Sequence, residues 1–521
     1  MKNKKGFTLI ELLAVIIILA VIALIATPIV LNVVDNARKS ANKDSAYGLL
    51  DSAKLYYMEG LLDESKSLSG NLIDKINVSG RKPDSGELYI NSKGETALAV
   101  VYDKVCFIKN YSETDLTEAE DTENCNISSL PSEPISKLYK DTVLNGADPE
   151  LKDNLVAVTI NNDGIVKKAD IYSEWYNYTN KTWANAVLLN GNDTYSAGDT
   201  IEENNIKAYY VWIPRYKYQI FYDGTNATSK QLINIEFENK DTTKSNGTTK
   251  DSWLTHPAFI FGDTELNGIW VGKFELTGDI TNPTIKPNVT SLRYQNVSTL
   301  FATTQKLSTN SSMLKNIEWG AIAYLTTSIY GQGLTEVRIN NSSTYITGCA
   351  ATSGNGSAYT GCENAYNTQV GVLASTTGNI SGIYDMSGGS YEYVMGVMED
   401  SLNSNIPSSG KSSSFNSGFS GKNLNDGTTT TGVAFPESKY YDIYKYGTTY
   451  NDGNAYSRYH IGDATTETKG WNEDYACFVY SSAPWFVRGG HFSNGSGAGA
   501  LAFNIIIGHA CSDSSARAVL R

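Results

Sequence analysis

The chain has 521 residues, 41% hydrophobic and 19% charged. That composition belongs to a folded protein, and the length exceeds one core, since domains run to about 100–200 residues. Its 42 basic and 55 acidic residues leave a net charge of -13, which excludes a phosphate-backbone binder, so no nucleic-acid partner is expected for the bulk of the chain.

The N-terminus places Lys2, Lys4 and Lys5 before an apolar stretch, and Leu12 to Leu31 is a run of 20 residues without a charge. As a helix that run spans ~30 Å, the thickness of a bilayer core. The lysines hold its first end in the cytoplasm and send the rest of the chain outside. The length of the run, and the lack of a small-x-small site at its far end, argue against a cleaved secretory signal. Glu11 lies one turn inside the apolar segment, where a carboxylate costs about 2.5–3.5 kcal/mol and needs a partner. Gly6-Phe7-Thr8-Leu9-Ile10-Glu11, with Pro28 further along, resembles the leader and kinked helix of type IV prepilins. In that family a membrane peptidase cuts after the glycine and the new first residue, here Phe7, is methylated. The glutamate, here Glu11, neutralises the terminal amine of a neighbouring subunit. The resemblance implies a leader over 1–6 and an assembly helix over 7–60. It implies a prepilin peptidase, other pilin subunits and the inner or cytoplasmic membrane as partners. The protein would be single-pass before assembly, then part of a pilus at the cell surface.

Beyond the bilayer Ala37, Ala41, Leu49, Ala53 and Tyr56 recur among polar residues as a one-sided stripe, which predicts a continuing helix whose outer half is covered by a small head. Leu88–Ile90, Leu98–Tyr102 and Val105–Ile108 read as strands of an antiparallel head over 61–140. All eight tryptophans lie at or after Trp175, which puts a boundary near 135–150. A β-rich connecting segment is expected over 141–205. It holds a hairpin in which Leu155–Ile160 and Ile165–Tyr172 flank Asn162-Asp163-Gly164. Residues 211–222 alternate as a strand, with Pro214 marking an edge or bulge. Met313 to Ile329 is helical around Trp319, and 401–433, rich in Ser, Gly, Asn and Thr, is a long surface loop.

Six cysteines allow fifteen connectivities. Pairing by proximity joins Cys106 to Cys125, Cys349 to Cys362 and Cys477 to Cys511, and the topology places all of them in an oxidising compartment. With no CxxC spacing and no nearby histidine pair, a zinc site is not expected. Gly495-Ser496-Gly497-Ala498-Gly499 is a flexible loop, since it does not sit between strand and helix as a phosphate loop does. His256, His460, His491 and His509 show no serine or aspartate partner at a recognisable spacing.

Gly382-Ile383-Tyr384-Asp385-Met386-Ser387-Gly388-Gly389-Ser390-Tyr391-Glu392-Tyr393 resembles the G-L-x-D-M-x-G-N-x-W-E-W element of formylglycine-generating-enzyme-like domains, a variant of the C-type lectin fold. Trp485-Phe486-Val487-Arg488-Gly489-Gly490-His491 resembles that family's W-x-x-R-G-G-S segment, and Ser515-Ala516-Arg517 stands where the family ends in G-F-R. Glu318 to Tyr324 fits its preceding helix. The resemblance implies a large mixed α/β lectin-like domain over 206–521, and an α+β chain as a whole. The family's enzymes use a cysteine pair just after R-G-G-S; His491 to Phe503 contains none, so catalysis is not expected. The family also binds calcium around the D-M-x-G-N turn. Glu392 matches its glutamate, but Gly389 replaces the asparagine. Asp385 and Glu392 are therefore expected to fix the turn by accepting backbone hydrogen bonds, with no cofactor, a calcium near Glu392 being the alternative.

Between Trp485, expected in the core, and Arg517, with Arg488 also expected to make fixed hydrogen bonds, the chain is small, polar and glycine-rich. His491, Phe492, Asn494, Phe503, Asn504 and His509 are the side chains able to recognise a ligand there, while Ile505 to Ile507 read as buried strand. Together these features predict a minor pilin carrying an adhesin domain at the pilus tip, where so large an appendage does not obstruct packing, for an unknown protein or glycan ligand. The layout also resembles lectin-fold proteins diversified by retroelements. A structural or priming pseudopilin of a secretion or DNA-uptake system is the second reading, and a formylglycine-type modifying enzyme the third.

Overall fold

The computed structural model describes residues 8–521 except 63–65, 67, 69, 79, 92–93, 112, 120–121, 128–137, 153, 221–229, 248–251, 353–360, 400–416, 423–428, 445–461 and 481–482. The chain divides into two units, Met1–Leu138 and Tyr139–Arg521.

The first unit is built on α1 (Leu9–Leu62), 54 residues and therefore ~80 Å long. Its large apolar side chains from Leu9 to Val34 are exposed, and the helix is long and apolar enough to cross a membrane, an 18-residue stretch of it having a mean hydropathy of 3.2. Pro28 lies inside it, and Thr27 Oγ1 donates to Ala23 O at 2.5 Å next to the interrupted ladder. Packing begins only at Asn42: Ala46, Leu49, Leu50 and Ala53 are buried, whereas Ala37 and Ala41, expected in the stripe, are exposed. The buried face lies against an antiparallel meander of β1 (Ser85–Ile90), β2 (Thr96–Tyr102), β3 (Val105–Lys109) and β4 (Thr117–Ala119), with Leu88, Leu98, Val100 and Phe107 in the core. Cys106 and Cys125 form a disulfide in this unit.

The second unit contains β5 (Leu155–Ile160), β6 (Val166–Lys168), β7 (Asn185–Leu189), β8 (Ile206–Pro214) and β9 (Gly268–Gly272). After α2 (Val297–Thr304) come β10 (Ser311–Met313), α3 (Asn316–Thr326), β11 (Tyr391–Met398) and β12 (Asp442–Tyr444). The chain ends with β13 (Trp485–Arg488), β14 (Phe503–Ile506), β15 (Ser514–Ala516) and β16 (Ala518–Leu520). The main sheet has seven strands in the order β10-β16-β9-β8-β7-β5-β6. A second sheet runs β12-β11-β13-β14, with β15 also paired to β11. The stretch 141–205 is thus no connector: it supplies three strands of the main sheet and shares its core. Its hairpin forms because Asn161 Oδ1 accepts from Asp163 N and Ile165 N, at 3.1 and 2.9 Å.

Two other expectations need correction. Pro214 is not on an edge strand; it is the last residue of β8, a central strand buried along nearly its whole length, where the missing N–H interrupts no ladder. The chain then breaks, and Tyr216–Gln219 joins a different three-stranded sheet. The loop over 401–433 falls mostly outside the described residues, but Phe419 is buried and stacks on Trp485, so its 417–420 portion belongs to the core.

α3 forms where the helical pattern predicts it. Glu318 Oε2 accepts from Lys315 N at 2.8 Å, capping its first turn, and also holds Arg521, so the helix start is fixed by the last residue of the chain.

Candidate functional site

The start of α1 satisfies Glu11 inside its own chain. Glu11 Oε2 accepts from both the backbone N and the hydroxyl of Thr8, at 2.9 Å each, while Thr8 Oγ1 accepts from Glu11 N at 3.3 Å. This reciprocal Thr-x-x-Glu cap answers two unsatisfied backbone N–H groups at a helix N-terminus. Gly6 and Phe7 lie outside the described residues.

In the second unit the segment between β13 and β16 is held at both ends by buried arginines. Arg488 is the last residue of β13; its Nη1 donates to Asn316 Oδ1 and Asp463 O, and its Nη2 to Ala464 O, all at 3.0 Å. Arg517 is the single residue between β15 and β16, where the chain passes from the second sheet into the main sheet. Its Nε donates to Glu392 Oε2 at 3.0 Å and its Nη2 to Glu392 Oε1. Nη1 reaches Gly272 O at 2.8 Å and Nη2 reaches Tyr384 O at 2.9 Å. One planar fork therefore ties β9, β11 and the 382–390 turn together. Trp485 is fully buried.

The 382–390 turn is set by Asp385, whose backbone adopts φ +63°. Its Oδ1 accepts from Gly348 N and Asn340 Nδ2, both at 2.9 Å. Glu392 does not share this role, contrary to expectation: both its oxygens are taken by Arg517, because β11 directs it at the β15–β16 junction. Glu275 is the third carboxyl here, accepting from Ser390 N at 2.9 Å. A Cβ at Gly389 would sit 2.7 Å from Glu275 Oε1, with φ +67°, so the departure from asparagine is explained by the buried acid beneath it. Burial, with repulsion from Asp385 and Glu392, lifts Glu275 well above the ordinary carboxylate range. Burial also raises Asp385 and takes Glu392 up to about 7 against the pull of Arg517. Among the described residues no three His, Cys, Asp or Glu are arranged to hold a metal. The residues at Glu392 do not fit calcium, since a guanidinium occupies the position a cation would take.

Between the two arginines the chain returns to the surface. His491 is the centre of a ring cluster: its Nε2 lies 2.8 Å from Tyr345 Oη, its Nδ1 2.9 Å from Ser493 Oγ, and its ring stacks on Tyr391 at 5.6 Å and 17°. Phe492 packs on His491 at 4.1 Å and edge-on to Tyr345 at 5.2 Å. Arg293 covers Tyr345 at 3.8 Å from the ring centroid and donates to Ser512 O. Asn494, exposed, accepts from His491 N at 2.6 Å, and Asn494 and Asn504 both lie near enough to Tyr391 to favour its ionised form, against the larger effect of burial. Burial holds His491 below its usual range, so the imidazole is neutral at pH 7.

The expected ligand residues therefore divide. His491, Phe492, Asn494 and Asn504 come together. Phe503 does not join them: it is buried in β14 beneath the Arg488 guanidinium. His509 makes no ring contact with the cluster among the described residues, and its carbonyl accepts from Tyr393 Oη at 2.8 Å. Ile505 to Ile507 are only half-buried. Tyr345, Tyr391 and Arg293 belong to the cluster although sequence pattern does not single them out. Tyr391 carries a signal, standing where the related motif has tryptophan; Tyr345 and Arg293 reach the cluster only through long-range folding.

Cys349 and Cys362 are bonded. The third expected bridge is absent, for Cys477 and Cys511 are both thiols. Cys477 N donates to Phe503 O at the start of β14, whereas Cys511 lies past the far end of that strand and accepts from Tyr294 N, so nearness in sequence is not nearness in space.

Residues 1–27 match the family model of the prokaryotic N-terminal methylation motif. The chain carries a type IV pilin-like leader. This pilin-like leader implies processing by a prepilin peptidase, membrane association and pilin assembly, in keeping with the exposed apolar half of α1. No curated protein matches the chain.

Proposed function

We propose that the protein is a minor type IV pilin whose second unit is a non-catalytic, lectin-like adhesin domain displayed at a pilus tip. The observation that carries the reading is the segment 489–513. It is pinned at both ends by fully buried arginines, yet it presents a half-buried ring cluster with exposed amide and hydroxyl groups between them. Such a surface binds through flat faces and hydrogen bonds, at small entropic cost because Tyr345, Tyr391 and His491 already fix one another. The motif residues Asp385, Arg488 and Arg517 serve packing, and no cysteine follows Gly490 before Cys511, which favours binding over the family's oxidative chemistry. If the segment is diversified between strains, as the lectin-like layout suggests, its ligand differs between them.

The test is adhesion by cells carrying Phe492→Ala with Asn494→Ala. Both side chains reach the surface, so the pair should abolish adhesion and leave the unfolding transition of the second unit unmoved. Adhesion at the parental level would place recognition elsewhere. Labelled protein found along whole filaments, with adhesion unaffected, would favour the structural pseudopilin reading.

A further inference from the structure

A cavity of about 280 Å³ opens between β5, β7 and the 379–381 loop, apart from the ring cluster. We propose that it is a second binding site, one that takes a single neutral saccharide residue.

Trp175 and Trp183 supply two indoles to the walls, and no ionisable side chain takes part in the lining. The buried ammonium of Lys273 lies behind Asn185 but has nothing to offer: its three protons are donated to Asn185 Oδ1, Ile380 O and Gly382 O at 2.8, 2.6 and 2.8 Å. A carboxylate, phosphate or ammonium ligand would lose its hydration there without gaining a counter-charge. A wholly apolar ligand fits no better, because beside Val158, Ile160 and Ile380 the remaining walls are amides and hydroxyls.

Floor and rim are built differently. The floor is internally satisfied and so fixed in shape: Trp183 Nε1 donates to Tyr330 O at 2.9 Å, and Asn185 Nδ2 donates to Trp183 O and Ser381 O at 2.8 Å each. At the rim Thr159, Asn162 and Thr182 are exposed. Their side chains, and the indole N–H of Trp175, have no hydrogen-bond partner among the described residues. Hydroxyls and an amide can both donate and accept, which matches a ring of alcohols that do the same. The indoles match the apolar face that a sugar ring also carries. The volume falls at the bottom of the range for small-molecule pockets, enough for one ring and not for a larger ligand.

The probes are methyl α-glucoside, methyl β-galactoside and N-acetylglucosamine, with glucosamine and N-acetylneuraminate as charged comparators. The measurement is saturation-transfer NMR on the full chain in a sugar-free zwitterionic detergent. At least one neutral sugar should show transfer, and the charged comparators should show none. Trp175→Ala should abolish it. Because Trp175 also touches the core, Asn162→Ala with Thr182→Val is the decisive variant. Losing the hydrogen bonds of two exposed residues should weaken binding about fivefold or more with folding intact. The adhesion-defective Phe492→Ala/Asn494→Ala protein should keep full transfer, which separates this site from the first. Silence from every neutral sugar, undiminished transfer in the rim variant, or equal transfer to the charged comparators would each overturn the proposal.

Discussion

Replacing Arg517 by methionine isolates the junction on which the second unit depends. The side chain is fully buried and makes four hydrogen bonds, two of them to a carboxylate that is itself 0% exposed. Methionine retains most of the volume, so little cavity forms and the loss is electrostatic. Removing one member of a buried pair costs about 3–5 kcal/mol, because the other is left without a counter-charge. Glu392 can escape by taking a proton, so the cost should be greatest at pH 8 and smaller at pH 5. With a urea m-value of about 3 kcal/mol/M, the midpoint should fall by about 1 M or more at pH 8. Tryptophan fluorescence reads this unit alone, since every tryptophan lies at or beyond Trp175. Glu392→Gln added to Arg517→Met should recover part of the loss at pH 8 by removing the stranded charge. A single variant within about 0.5 kcal/mol of the parent, or a double variant less stable by the sum of the two, would refute the coupling.

Two further outcomes rest on the same interior. Glu392 stands at about 7 in the folded protein against an ordinary 4.5, and Asp474, raised chiefly by burial, at about 8 against 3.8. Both bind protons more tightly folded than unfolded. Their contribution is therefore complete below about pH 4 and is lost as pH rises toward 7 and 8, by about 3 kcal/mol for Glu392. The urea midpoint should drop between pH 5 and pH 8, and less steeply in Glu392→Gln; a midpoint that climbs over that range would contradict the assignment. As for the thiols, iodoacetamide should modify Cys511 in the folded protein and Cys477 only after unfolding, and a non-reduced peptide map joining the two would restore the bridge the structure lacks.

What could be read from sequence was whatever is encoded locally. The apolar run and the hairpin turn at Asn162-Asp163-Gly164 each depend on residues within a few positions, and each forms within its own stretch of chain. The onset of tryptophan at Trp175 points to a change of composition, but it says nothing of how residues 141–205 are used. Nothing in 155–189 distinguishes a connecting hairpin from three strands whose partner, β8, contributes the burial. The same limit explains the site. His491 and Phe492 are neighbours in sequence, but Tyr345 lies 146 positions from the imidazole it bonds, and the turn fixed by Asp385 and the 291–294 segment bring the two loops together.

The distribution of cost along the C-terminal segment bears on how recognition could change. Arg488 and Arg517 sit where a substitution strands a buried partner, a penalty of several kcal/mol. Gly490, at φ +76° with a Cβ position 2.5 Å from Ala498 Cα, is closed to other residues for steric reasons. Between these points Ser493, Asn494, Ala510 and Ser512 are exposed, and surface changes of this kind fall within about ±0.5 kcal/mol. Phe492 and Asn504 are intermediate, each touching the ring cluster without anchoring a sheet. A chain built this way can exchange the residues that meet a ligand while the groups that fold it stay fixed. The division is physical: it arises from which side chains are buried with hydrogen-bond partners that only they satisfy, and it would hold whatever the ligand is.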